Sequence, residues 1–186
     1  MSENNKLKAV NDLPQTKFSI WVYTLVLKLG VLASSMWILL VIAIIISVVR
    51  RYGFNLGSIF IEEMHWHFYA IGVSFALSYS MASNAHVRVD VLSTNFGKRL
   101  YTWIEILGIL VLVIPYTAFV LYYSYVFVAH SFNTGEVSLS PGGIPYRWMI
   151  KSVMLTGFGL LLLTALARLS QSIACLRGGF SHTTEG

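Results

Sequence analysis

Four long apolar runs, at about residues 29–49, 64–83, 101–129 and 153–174, are separated by short polar segments. Each run is long enough to cross a bilayer as a helix, because ~20 residues at ~1.5 Å per residue match the hydrocarbon core. Nothing between the runs is large enough to be a soluble domain. The pattern predicts an all-α integral membrane protein with four transmembrane helices. One membrane domain covers residues 13–175, with a flexible N-terminal segment at 1–12 and a flexible tail at 176–186.

Finer patterning distinguishes the runs. Ahead of the first, Lys17 and Lys28 lie eleven residues apart, about 20° on a helical wheel. With Trp21 and Tyr23 nearby, this stretch reads as an amphipathic helix lying at the membrane surface, or as a lead-in to the first span. The first span is rich in Ile and Val and almost featureless chemically. The second carries Gly72, Ala76, Ser80 and Ser83 at spacings of four, four and three, so small side chains share one face and predict a tight helix seam. In the third, Pro115 removes the hydrogen bond to the carbonyl of Val111 and predicts a kink. Tyr116, Tyr122, Tyr123 and Tyr125 follow it, a pattern that resembles an interfacial aromatic belt. Residues 131–150 contain Gly135, Pro141, Gly142, Gly143 and Pro145, which predict a compact turn-rich hairpin.

Composition agrees with a membrane protein and narrows its class. Of 186 residues, 56% are hydrophobic and 11% charged, against about 25% charged in soluble domains. A net charge of +5 would raise nucleic acid as a ligand, but no basic face is interleaved with exposed aromatics. The Lys and Arg residues instead cluster at span ends. Nine fall on the side of the termini and the central loop, and four on the other. By the positive-inside rule both termini are cytoplasmic, although Arg50 and Arg51 argue the other way. No cleavage pattern follows the first span, which reads as a retained anchor. The single Cys175 excludes an internal disulfide and any cysteine-rich metal site.

The polar residues at the span ends are the candidate chemistry. Arg50 and Arg51 leave the first span and Glu62 and Glu63 begin the second, so antiparallel neighbours bring the four to one depth. A charge at the hydrocarbon boundary is cheaper when paired, which predicts at least one Arg–Glu pair at this corner. His65, His67 and His130 share one level and offer an alternative, a haem b-bearing or quinone-linked membrane anchor. Glu105 lies about one turn into the third span, shallow enough to reach the interface. No nucleophile–base set, phosphate-cradling glycine loop or metal-spacing cluster is present, so nothing here is catalytic. The most distinctive polar stretch is His86-Val87-Arg88-Val89-Asp90, where Asp90 suits a helix cap.

In this order, several features resemble the small membrane subunit of tripartite ATP-independent periplasmic (TRAP) transporters, the DctQ-like family. They are four spans, Arg50-Arg51-Tyr52 followed by Asn55, the Glu62-Glu63 start of the second span, Gly72, Ala82 and the His86–Asp90 stretch. Gly135-Glu136-Val137-Ser138 and Pro141-Gly142-Gly143-Ile144-Pro145 come before the last span. The resemblance implies a partner: a large DctM-like membrane subunit that carries the sodium and substrate sites. It also implies a periplasmic binding protein that delivers an organic acid or related solute, and a bacterial or archaeal inner membrane around the complex. By this likeness the chain holds no cofactor, metal or substrate. Arg50, Arg51, Glu62, Glu63, Gly72, Ala76, Ser80, His86, Arg88, Asp90, Glu136, Gly142 and Gly143 become candidates for partner contact or structure. A stand-alone small transporter is the other alternative, but the chain lacks the paired broken helices such a machine uses.

Overall fold

The computed structural model describes residues 16–83, 98–141 and 143–177. The expected flexible ends fall almost wholly outside these residues, as do His86, Arg88, Asp90 and Gly142. Among the described residues the chain is helical, with no strand.

Helix α1 runs from Lys17 to Gly53, 37 residues or about 55 Å. It starts at a reciprocal cap: Ser19 N donates to Thr16 Oγ1 at 3.2 Å, and Thr16 N donates to Ser19 Oγ at 3.2 Å. Of the two readings of the stretch before the first span, the structure takes the lead-in, since α1 is one helix from Lys17 to Gly53. Residues 17–28 continue into the span without a break, because Val22 and Val26 pack in a core with Ala82 and Ala167 that holds the segment against its neighbours. At the other end the carbonyl of Arg50 accepts from Phe54 N at 3.3 Å and Leu56 N at 2.9 Å. Asn55 takes the left-handed conformation, with φ of 51°, which reverses the chain.

Helix α2 (Ile59–Ala82) follows. Among the described residues, three helical segments are long and apolar enough to cross a membrane: α1, Thr102–Asn133 and Arg147–Leu176. The count of four is corrected on this measure. Helix α2 has 24 residues but spends its first turns on Glu62, Glu63, His65 and His67, which shorten its apolar length. It takes part in the bundle by packing on both α1 and α5.

The third run is not one continuous α-helix. Helix α3 (Lys98–Gly108) passes into a π-helical turn at Ile109–Val113 and then into α4 (Ile114–Asn133). Ile114 N donates to Ile109 O, five residues back. The turn lies just before Pro115, whose ring and missing N–H disturb an α-helical ladder there, and it takes up the disturbance as one extra residue. The consequence shows in the buried positions. Thr102 and Ile109 are seven apart, and so are Thr117, Ser124 and Ser131, but the step from Ile109 to Thr117 is eight. Without the extra residue the seam would continue through Tyr116, Tyr123 and His130, which point outward.

Helix α5 (Arg147–Arg177) is the hub, packing against α1, α2, α3 and α4. At Gly157 it lies close to α2, where a Cβ would meet the Ser74 carbonyl oxygen at 2.8 Å. Little of the apolar surface is covered within the chain: 17% of the most apolar window in each of Thr102–Asn133 and Arg147–Leu176 is buried, and 11% in α1.

Candidate functional site

The polar chemistry gathers at the two ends of the bundle. At the end formed by residues 54–58 and 134–146, the organising group is the carboxylate of Glu63. Its Oε2 accepts from the backbone N–H of Ile144 at 2.5 Å, and its Oε1 accepts from the Ser138 hydroxyl. The first turn of α2 thereby clamps the hairpin between α4 and α5. Gly143 sits in the clamp, where a Cβ would collide with Ser138 Oγ and lie 2.8 Å from Glu63 Oε1. The Ile144 N–H bond, the Ser138 hydroxyl and the nearby positive charge of Arg147 hold the Glu63 carboxyl below its ordinary range.

A second clamp ties the hairpin to α5. Glu136 pairs with Lys151, whose ammonium lies 3.8 Å from the centroid of the Phe127 ring. The Lys151 ammonium is the largest influence holding the Glu136 carboxyl below its usual range. Arg147 N donates to Glu136 O at 3.3 Å and Glu136 N to Ser131 O at 3.1 Å. Two left-handed residues, Gly135 at φ 58° and Tyr146 at φ 62°, turn the chain at either end of the hairpin.

The four charges at the first corner thus divide. Arg51 meets Glu62 at 3.4 Å, with both side chains about half exposed or more, an arrangement worth ~0–1 kcal/mol. Glu63 turns away to the hairpin, and Arg50 contributes its carbonyl to the end of α1. His67 Nδ1 lies 2.7 Å from Glu63 O, one turn back on the same helix. His130 lies on the other hairpin helix, and among the described residues no three His, Cys, Asp or Glu side chains are grouped to hold a metal ion.

The small residues of α2 do not share one environment. Gly72 is buried beneath the Trp37 indole, where a Cβ would lie 2.9 Å from Cε2. Ala76 is exposed and lines a shallow groove with Gly30, Ser34 and Trp37. Ser80 is half-buried and Ser83 exposed.

At the opposite end the structure holds what sequence reasoning missed. Arg168 Nε donates to Glu105 Oε1 at 2.7 Å, with the side chains 6% and 13% exposed. The sequence places Glu105 near the interface and the Lys and Arg residues at span ends, but Glu105 and Arg168 are buried against each other. That expectation is corrected. The signal was present: an acid early in the third run and a base late in the fourth occupy the same depth when the helices run antiparallel. One turn on, Gln171 donates to Ser19 Oγ at 3.0 Å and accepts from the Tyr23 hydroxyl at 2.9 Å. Thr16 Oγ1 and Ser170 Oγ are 3.2 Å apart. These contacts fasten the start of α1 to the end of α5.

The Glu63 clamp makes a prediction. Glu63→Ala leaves the Ile144 N–H and Ser138 hydroxyl without their acceptor, so the hairpin should be cut at least several-fold faster by protease in detergent while the helices stay folded. Because folding lowers the carboxyl's pKa, the clamp is fully present above the ordinary carboxylate range and is lost as pH falls through the lowered value. Hairpin cleavage by pepsin should therefore rise only in strongly acid solution. Equal cleavage of parent and variant at neutral pH would remove this role for Glu63.

The chain was compared with known proteins. None of the curated proteins matches it. A family model does match, over residues 40–175, which takes in the outer part of α1, all of α2, both clamps and the Glu105–Arg168 pair. A match across well over half of the chain settles its kinship: the protein belongs to the DctQ component family of the tripartite ATP-independent periplasmic transporters.

Proposed function

We propose that this chain is a non-catalytic scaffold for the large membrane subunit of a sodium-driven, binding-protein-dependent importer of an organic acid or related solute. The family match carries the reading, since a component of a tripartite transporter works with other chains. Two structural features support it. The polar side chains are spent on fastening the chain to itself, at the Glu63 and Glu136 clamps and the Glu105–Arg168 pair. The apolar faces of the long helices are left mostly uncovered, as suits a protein surrounded by lipid and a membrane partner. On this reading the chain lies in the inner membrane with both termini cytoplasmic. The hairpin held by Glu63 then faces the periplasm, and sodium and substrate are bound by the large subunit.

The test is reconstitution. The chain, co-expressed with the large subunit of its transporter, should copurify with it in fixed stoichiometry. Uptake into vesicles should require both chains, the external binding protein and an inward sodium gradient. Uptake by this chain alone, or by the large subunit equally well without it, would overturn the scaffold role.

A further inference from the structure

Tyr116, Tyr122 and Tyr123 of α4 lie too deep to be part of an interfacial belt. The apolar stretch between Glu105 and His130 has its midpoint at residues 117–118, which puts Tyr116 within ~3 Å of that midpoint and Tyr122 and Tyr123 within ~8 Å. The hydrocarbon half-thickness is ~15 Å. With Phe119 they form an exposed cluster: Tyr116 is 61%, Phe119 63%, Tyr122 65% and Tyr123 55% exposed. Three of the rings touch, Phe119 to Tyr123 at 4.6 Å and Tyr122 to Tyr123 at 5.3 Å between centroids, while Tyr116 lies edge-on to Phe158 of α5 at 6.3 Å, and no hydrogen bond within the described chain engages the three hydroxyls.

A phenolic hydroxyl facing lipid tails has no acceptor, and leaving a polar group unpaired there is costly. Reaching back to the headgroups is disfavoured too. Helical Cα–Cβ bonds tilt toward the helix N-terminus, which directs Tyr122 and Tyr123 toward the bilayer centre, and Tyr116 already lies at that centre. The contrast with α1 is sharp. There the exposed positions Ile38, Ile42, Ile45 and Val49 are purely aliphatic. The one hydroxyl within this stretch, Ser47, is half-buried rather than on the exposed face, and Ser34 and Ser35 before it donate to the carbonyls of Val31 and Leu32 on their own helix. That surface is suited to lipid as it stands.

We infer that the Tyr116–Phe119–Tyr122–Tyr123 face of α4 is the surface on which the large membrane subunit docks, through a transmembrane helix that presents hydrogen-bond acceptors to the phenols, while the Ile38–Val49 face of α1 meets lipid. The eight-residue step at the π turn is what turns this face outward, since a seven-residue step would bury Tyr116 and Tyr123. The inference rests on the scaffold reading and names the face it uses.

The test places benzoylphenylalanine at position 116, 123, 42 or 45 of the full chain, co-expressed with the large subunit, and irradiates intact membranes. Positions 116 and 123 should give an adduct with the mass of both subunits, and positions 42 and 45 should give none. In parallel, Tyr116→Phe/Tyr123→Phe removes two hydroxyls without changing ring packing. It should leave the thermal stability of the isolated chain unchanged and lower copurified large subunit about three- to tenfold, the worth of two interhelical hydrogen bonds. Subunit adducts from positions 42 and 45 alone would overturn the inference, as would adducts at 116 and 123 only with lipid or with a second copy of this chain. So would no adduct at 116 and 123 while the subunits copurify, an outcome that leaves the scaffold reading intact. Failure of the parent chain to copurify would remove both.

Discussion

Replacing Glu105 by Leu is expected to remove most of the folded protein recovered in detergent, and Arg168→Leu somewhat less. The pair is close and almost fully buried, with Arg168 Nε 2.7 Å from Glu105 Oε1. Removing one partner of a buried pair typically costs ~3–5 kcal/mol, because the other charge is left uncompensated. That is a large share of the ~5–15 kcal/mol by which folded proteins are usually stable. The two single variants should differ because their orphans differ. A carboxyl that loses its guanidinium can take up a proton and become neutral, whereas a guanidinium stays charged at any accessible pH. The double variant Glu105→Leu/Arg168→Leu removes both charges of the pair and should recover much of the loss. Thermal stability by fluorescence-detected size exclusion checks the set. Single variants as stable as the parent, or a double variant worse than both, would show that the pair is not what holds α3 to α5.

This pair also marks where the sequence stopped being readable. Apolar runs report which segments enter a membrane, because burial in lipid is averaged over ~20 residues. Hence the helices, the boundary charges and the hairpin turns were all visible. Side-chain partners depend on which helices are neighbours and on their rotation, and neither follows from run lengths. Glu63 was seen as a boundary charge awaiting an arginine, and it binds Ser138 and the Ile144 N–H instead, 75 and 81 residues away. Pro115 reads in the sequence as a kink; what the structure shows just before it is a π turn that inserts a residue and shifts the buried heptad by one. The amphipathic stretch before the first span had two readings, and the choice between them lay in Ala167 and Gln171, far away in the chain.

Gly157→Ala is expected to destabilise the isolated chain by at least ~2 kcal/mol, although the same change in an open helix position gains about 1 kcal/mol from helix propensity. The reason is what the new methyl would meet. At Gly157 a Cβ lies 2.7 Å from Ser74 Cβ, 2.8 Å from Ser74 O and 3.0 Å from Ser74 C, so the obstruction is largely the backbone of α2 and the two helices must move apart. Gly159, two residues on, has nothing within 4 Å of its Cβ position, and Gly159→Ala should hold or raise stability. Gly72 is intermediate. Its Cβ would meet the Trp37 indole at 2.9 Å, and that side chain is 39% exposed and can swing aside. The predicted order of melting temperatures is therefore Gly159→Ala highest, then Gly72→Ala, then Gly157→Ala. The order separates two ideas that glycine in a membrane helix always invites, flexibility and close approach. If flexibility mattered, Gly159→Ala and Gly157→Ala would be equally harmful, since both remove the same backbone freedom from the same helix. Only close approach makes two neighbouring glycines of α5 differ in sign, and a melting series that placed them together would show that α2 and α5 are not held at the distance Gly157 permits.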